Sequence, residues 1–318
     1  MTVATNSPYR ATLFACALPL AITLAISTAG CVMQSAPPID TSILIPGNGV
    51  TIYAAGDIAE CKNTKPADTG AAQTAALIDA ALGADQNAAV LSLGDNVYPV
   101  GSSLDFRDCY APTWGRFKAR TYPAPGNHEY YTAGATGYFE YFGAAAGPEQ
   151  RGYFSFDLGQ WHLLSLNSNL KADQHQAQLA WLKADLAQHK TRCALAYWHH
   201  PLYSSGGHGN DDHMRDVWQV LQGADVEVAL VGHDHDYERF APQDDQGRRD
   251  DAHGIREIVV GTGGAELGGF LLTKFNREAA NDATHGVLKM VLKPSGYEWE
   301  FLPVGGGRFT DRGAALCH

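Results

Sequence analysis

Five short segments place a metal-binding side chain beside a glycine or proline. They are Gly56-Asp57-Ile58-Ala59, Gly94-Asp95-Asn96-Val97-Tyr98, Gly126-Asn127-His128-Glu129, Trp198-His199-His200-Pro201 and Gly232-His233-Asp234-His235. The donors they offer are Asp57, Asp95, Asn127, His199, His233 and His235, with Tyr98 nearby. Oxygen and nitrogen donors without cysteine suit iron, zinc or manganese. Six donors are too many for one catalytic metal that keeps an open position. They suit two metals about 3.5–4 Å apart, the arrangement used for in-line displacement at phosphorus. One carboxylate then bridges, and His233 and His235, two residues apart, reach different metals. A single Asp after Gly is ordinarily a turn residue, and a lone His is ordinarily packed or solvated. Five such segments in order, each after an apolar run, are a consistent pattern across levels.

The elements that carry these residues are legible. Short apolar runs bounded by turn signals predict buried strands at Val50–Ala55, Ala88–Leu93, Arg120–Pro123, His162–Leu166, Ala194–Trp198 and Val226–Leu230. Helical spacing appears between them. Leu77, Ile78 and Leu82 mark Ala71–Leu82; Leu179, Trp181, Leu182 and Leu186 mark Gln174–His189; Met214, Val217, Trp218 and Leu221 mark Met214–Leu221. Ile255–Val260, Val287–Leu292 and Tyr297–Leu302 read as further strands. Alternating strands and helices predict an α/β fold with covered sheets. Such sheets bind ligands beyond the carboxyl ends of their strands, where these segments fall.

The order GD, GDxxY, GNHE, WHxP, GHxH resembles the calcineurin-like metallophosphoesterases. The stretch Gly232-His233-Asp234-His235-Asp236-Tyr237-Glu238-Arg239 resembles their purple acid phosphatase branch. That branch replaces a histidine of the first motif with a tyrosine three residues after the bridging Asp. Here Ala59 stands at the histidine position and Tyr98 lies three residues after Asp95. The resemblance implies an α/β fold, a four-layer α/β/β/α sandwich of two mixed β-sheets flanked by helices, with a binuclear site at one edge. It implies two metal ions, Fe(III) plus a divalent Fe, Zn or Mn. Asp57, Tyr98, His235 and the bridge Asp95 would hold the first, and Asp95, Asn127, His199 and His233 the second. It gives His128 the role of aiding the leaving group. His208, nine residues after His199, is either a pocket histidine or a solvated loop residue; His200 and His213 read as supporting or surface residues. The implied activity is a phosphomonoesterase of acid phosphatase type, using a metal-bound hydroxide on a small phosphate ester. A phosphodiesterase on the same site, or an idle ligand-binding lipoprotein, are the alternatives.

The chain has 318 residues, 45% hydrophobic and 18% charged, with 34 glycines, and suits a loop-rich globular enzyme. Its net charge of -11 disfavours nucleic acid and anionic lipid as partners. Residues 1–30 read as a signal peptide: Arg10, then the apolar run Ala11–Ser27. Thr28-Ala29-Gly30-Cys31 resembles a bacterial lipobox, so Cys31 is either lipidated or incidental to ordinary cleavage. Either way the protein is expected to be exported, periplasmic or extracellular, touching a membrane only through a lipid at Cys31. Residues 31–46, with Pro37, Pro38 and Pro46, read as a tether to a domain over 47–318. Export makes disulfides expected. Cys61 and Cys109 follow the first two motifs near the metal-bearing rim, whereas Cys193 sits about 20 Å below it along a strand. The expected pairs are Cys61–Cys109 and Cys193–Cys317. Two further segments carry no assignment to the site. The aromatics of Tyr130–Phe142 either line a pocket or pack a long loop, and Gly261–Gly264 reads as a tight turn.

Overall fold

The computed structural model describes residues 45–318. The signal region, Cys31 and residues 31–44 lie outside the described residues. Packing begins at Ile45, two residues before the expected domain start: Ile45 is buried and its carbonyl accepts from Lys293 Nζ at 3.0 Å.

Among the described residues, thirteen strands form two mixed sheets flanked by helices. They are β1 (Val50–Ala55), β2 (Ala89–Leu93), β3 (Thr121–Ala124), β4 (Phe154–Leu158), β5 (Trp161–Ser165), β6 (Cys193–Tyr197), β7 (Val228–Val231), β8 (Tyr237–Phe240), β9 (Arg256–Val260), β10 (Arg277–Asn281), β11 (Gly286–Lys293), β12 (Gly296–Pro303) and β13 (Arg312–Leu316). The first sheet runs β13-β12-β11-β1-β2-β3 and the second β10-β8-β9-β7-β6-β5-β4. β1, β2 and β3 are parallel, as are β5, β6, β7 and β9. Buried parallel strands need apolar side chains on both faces. Accordingly β2, β6 and β7 are buried at every residue.

Apolar residues of both sheets meet in one cluster, among them Ile52, Leu91, Leu163, Leu195, Met290 and Phe301. A second cluster lies on the outer face of the second sheet. There Leu164, Ala196, Trp198 and Val231 pack against Val217, Trp218 and Leu221 of the helix Arg215–Gln222. The helix Gly70–Ala84 starts where Thr69 Oγ1 accepts from Ala72 N, and it buries Ala71, Ala75, Ile78 and Leu82. Leu77 falls beside this face and is only half-buried. In the helix Ala172–Gln188, Leu179 and Leu182 are buried, while Trp181 and Leu186 are half-buried against the core. Among the described residues, no helix is long and apolar enough to cross a membrane.

β1 has the bounds read from the sequence, and the other predicted strands differ by one or two residues at an end, with β3 at Thr121–Ala124 and β7 at Val228–Val231. Four strands lie outside the sequence reading. β4, β10 and β13 are partly exposed sheet edges, and β8 follows the GHDH turn after Asp236. Disulfides join Cys61 to Cys109 and Cys193 to Cys317.

Candidate metal centre

The five motifs sit just past the carboxyl ends of five parallel strands. Asp57, Asp95, His199 and His233 each lie two residues beyond β1, β2, β6 and β7, and Asn127 three beyond β3. The first two turns extend the β1–β2 ladder past the sheet. Asp57 N donates to Gly94 O at 3.1 Å, Ile58 N to Asp95 O at 2.9 Å, and Tyr98 N to Ala59 O at 3.0 Å. That zipper sets Tyr98 opposite Asp57. Three of the donors hold left-handed backbone: Asp57 at φ 59°, Asp95 at 46° and His233 at 73°. Such conformations cost about 1–3 kcal/mol each in a non-glycine residue and gather at functional sites. Glycines allow the crowding. A Cβ at Gly126 would lie 2.1 Å from Asp95 Oδ1, and one at Gly94 would lie 2.6 Å from His199 Nδ1.

The Tyr98 hydroxyl stands 3.0 Å from Asp57 Oδ1, 3.2 Å from Asp95 Oδ2 and 3.0 Å from His235 Nε2. On the other side of Asp95, His199 Nε2 lies 3.3 Å from Asp95 Oδ2 and 3.1 Å from Asn127 Oδ1. Donor atoms of Asp57, Asp95 and His199 all fall within 4.8 Å of one another, and so do those of His199, His200 and His233. Main-chain carbonyls orient the rings. His199 Nδ1 gives its hydrogen to Leu93 O at 2.9 Å, His235 Nδ1 to Glu266 O and His128 Nδ1 to Pro99 O, both at 2.6 Å. Each ring therefore turns Nε2 inward, the arrangement that outer partners impose on metal-binding histidines.

Residues 50–237 match the calcineurin-like phosphoesterase family. The chain belongs to that family. Among its relatives, purple acid phosphatase 21 of Arabidopsis thaliana is 29% identical over 197 residues, covering 54% of this chain and 45% of the relative. Purple acid phosphatase 18 of the same plant is 31% identical over 154 residues, covering 44% and 34%. The chain thus spans less than half the length of either relative. Purple acid phosphatase PPD1 from yellow lupin (Lupinus luteus) seeds shares the fold. Its TM-score is 0.66 at 20% identity, covering 85% of this chain and 54% of that one. Within that family, the relatives named here are purple acid phosphatases, to which the chain is similar.

The family implies a binuclear centre, and the charge pattern around these donors fits one. Burial opposes an ionised Asp95, yet His199 and His128 hold its carboxyl well below the usual range. Burial likewise opposes charge on His199 and His235, but Asp95 raises the first to about 9 and Asp57 raises the second to about 9. Burial and neighbouring imidazoles push His200 down to about 3 and His233 lower still, so both rings are neutral with a lone pair to offer. Burial and the two carboxylates push the Tyr98 phenol well up. A bound cation reverses that last balance, because it becomes the largest local charge.

Among the other candidates, His128 is close to the centre, its Nε2 3.8 Å from Asp95 Oδ2 and its ring 4.2 Å from that of Tyr98. His208 is exposed on its loop, yet its ring centroid lies 4.1 Å from that of His233. His213 is elsewhere, 4.8 Å from His175. In Tyr130–Phe142 the packing alternative holds for most of the segment. Tyr138, Phe139 and Phe142 are buried, and only Tyr131 turns to the site, its hydroxyl 3.1 Å from Asn127 Nδ2. The Gly261–Gly264 turn packs on the first motif, Gly263 N donating to Gly56 O at 2.9 Å.

The sequence reading passed over Glu129 and Asp234, and it took His200 as a supporting or surface residue. His200 touches the cluster, its ring centroid 4.4 Å from His233, with Nδ1 held by Ser168 Oγ at 2.7 Å. Glu129 is fully buried and joins two motif loops. Its carboxylate accepts from Val97 N at 3.2 Å and Gly126 N at 2.7 Å, and burial then Asp95 raise it to about 8. Asp234 holds the Gly-rich loop by accepting from His208 N at 2.7 Å and Gly209 N at 3.1 Å. Glu129 and Asp234 lie inside the motifs, so that membership was the available signal.

Proposed function

We propose that this protein is an exported, metal-dependent phosphoric ester hydrolase that acts on phosphomonoesters. The observation that carries the reading is the contact of the Tyr98 hydroxyl with Asp57, Asp95 and His235 at 3.0–3.2 Å, beside the His199–Asn127–His233 group. Asp57, Tyr98, His235 and Asp95 would hold one metal, and Asp95, Asn127, His199 and His233 a second. The phenolate oxygen suits Fe(III) at the first position; the second takes a divalent Fe, Zn or Mn. When bound, such a pair supplies Lewis-acid charge for the phosphoryl oxygens and lowers the pKa of water.

The chain's own residues orient and protonate. Asp95 Oδ1 accepts from His128 N at 2.8 Å, which ties the bridging carboxylate to the neighbouring loop. His128 keeps Nδ1–H on Pro99 O, so the proton it delivers to the departing alcohol sits on Nε2. Export is supported by the apolar N-terminal run and by the two disulfides. A lipid on Cys31 would tether the domain, and labelled palmitate in wild type but not in Cys31→Ser is the expected result.

The test is elemental analysis and a visible spectrum of iron-loaded wild type and Tyr98→Phe. A phenolate–Fe(III) pair gives a charge-transfer band, so the wild type should be coloured and the variant colourless. An iron-replete wild type without the band contradicts the assignment. Faster turnover of p-nitrophenyl phosphate than of its bis-ester is expected, and the reverse makes the protein a diesterase.

A further inference from the structure

Seven large apolar side chains are exposed among the described residues; three lie in segments that follow Tyr98 and Asn127, three in the loop 266–276, and the seventh, Leu316, on the edge strand β13. One wall follows Tyr98 and Asn127. Val100 and Leu104 belong to a segment packed on His128 and Glu129. There the Gly101 backbone lies against Glu129, and Val100 O accepts from Thr132 Oγ1 at 2.7 Å. Tyr131 completes this wall, its ring centroid 4.7 Å from that of His128. The opposite wall is the loop 266–276. Gly268 N donates to His235 O at 2.9 Å, and Leu271 N to Ser205 O at 2.9 Å. Leu271 and Leu272 line a cavity of about 120 Å³ together with His208, which faces His233.

Scattered single apolar residues on a surface need no explanation; a contiguous group does. Tyr131 touches His128, and the loop that bears Leu271, Leu272 and Phe275 is tied to His235 and Ser205 by its backbone. The net charge of -11 also works against polyanionic substrates.

We propose that the site selects phosphate monoesters of apolar alcohols. The phosphate occupies the metal centre, and the hydrocarbon lies between Leu271, Leu272 and Phe275 on one side and Val100, Leu104 and Tyr131 on the other. In the reaction a water oxygen bonds to phosphorus and the bond from phosphorus to the ester oxygen breaks. The departing alkoxide takes a proton and leaves as the alcohol, its hydrocarbon unchanged. This inference rests on the phosphoesterase reading above.

The test uses the metal-loaded full chain and ethyl, butyl and octyl phosphate below micellar concentrations. Full burial of one methylene is worth about fourfold, so partial cover of the added six should raise kcat/KM about tenfold or more from ethyl to octyl. Octylphosphonate should bind more tightly than ethylphosphonate by a similar factor in calorimetry, which needs no turnover. The variant Leu271→Ser/Leu272→Ser/Phe275→Ser should bring both ratios near one. Its unfolding midpoint should match wild type, because the three side chains are 71%, 70% and 92% exposed. Hydrolysis of every ester with a flat profile overturns this inference and leaves the phosphoesterase reading intact. No hydrolysis of any ester defeats that reading, and phosphonates that bind equally then defeat this one. A variant that keeps the chain-length profile but loses binding to phosphatidylglycerol vesicles makes the walls a membrane contact, which also overturns the proposal.

Discussion

Two histidine clusters occupy opposite ends of the seven-stranded sheet. His199 and His233 stand past the carboxyl ends of β6 and β7. His162 lies in β5, level with Ala194 near the start of β6, five residues before His199 and so about 16 Å along the strand direction. Both clusters mix imidazoles and carboxylates. In the lower one, His162 Nδ1 meets Asp157 Oδ1 and Nε2 meets Asp185 Oδ2, each at 2.7 Å. Ser155 Oγ donates to Asp185 Oδ1 at 2.7 Å, and the His189 ring stacks on His162 at 4.5 Å. This ring meets a separate carboxylate at each nitrogen. At the upper rim each oriented ring is held at Nδ1 by a carbonyl, and its Nε2 faces other donors. The backbone is also strained there, at Asp57, Asp95 and His233, and extended at His162. The difference teaches that residue type does not define a metal site. A structural cluster gives each ring carboxylates of its own; a binding cluster gathers several donors around one shared space.

That comparison breaks most sharply at Asp95. Asp95→Asn keeps the shape and removes the charge shared by both halves of the centre. The expected result is loss of metal and of nearly all phosphatase activity, read by elemental analysis and turnover. His128→Ala should keep both metals and lower kcat about 10²–10⁴-fold; loss of metal in this variant makes His128 part of the binding set instead.

The lower cluster should respond in the opposite sense. His162→Gln removes the imidazole that meets Asp157 and the buried Asp185 and should cost about 1–3 kcal/mol in denaturant unfolding, with kcat and metal content unchanged. A fall in metal content there erases the distinction between the clusters. Ser155→Ala removes one hydrogen bond to Asp185 and should cost about 1 kcal/mol by the same measurement.

Much of the centre is legible from residues alone because its parts are local. Each motif is an apolar strand followed at once by a turn, and strand burial, glycine turns and donor chemistry are all short-range properties. Ala59 beside Tyr98 shows this: the missing donor and its substitute lie in two motifs that the β1–β2 ladder brings together. Edge strands are less legible. β10 and β13 are held by pairing to a neighbour, and β4 carries only the short alternation Phe154, Phe156 and Leu158.

By itself, the sequence determined the strands of the two sheets' centres, the order of the five turns and the kind of chemistry their donors perform. Only the tertiary structure decided which histidines face a shared space. Nothing near His162, His200 or His208 in the chain distinguishes a ring locked between carboxylates from one turned toward a centre. That depends on residues 20 to 40 positions away, such as Asp185 for His162 and Ser168 for His200. The same holds for Glu129, whose two partners lie on separate loops, and for Leu271, Leu272 and Phe275. The loop that bears these apolar side chains is placed by backbone bonds to Ser205 and His235, contacts between separate loops of the seven-stranded sheet.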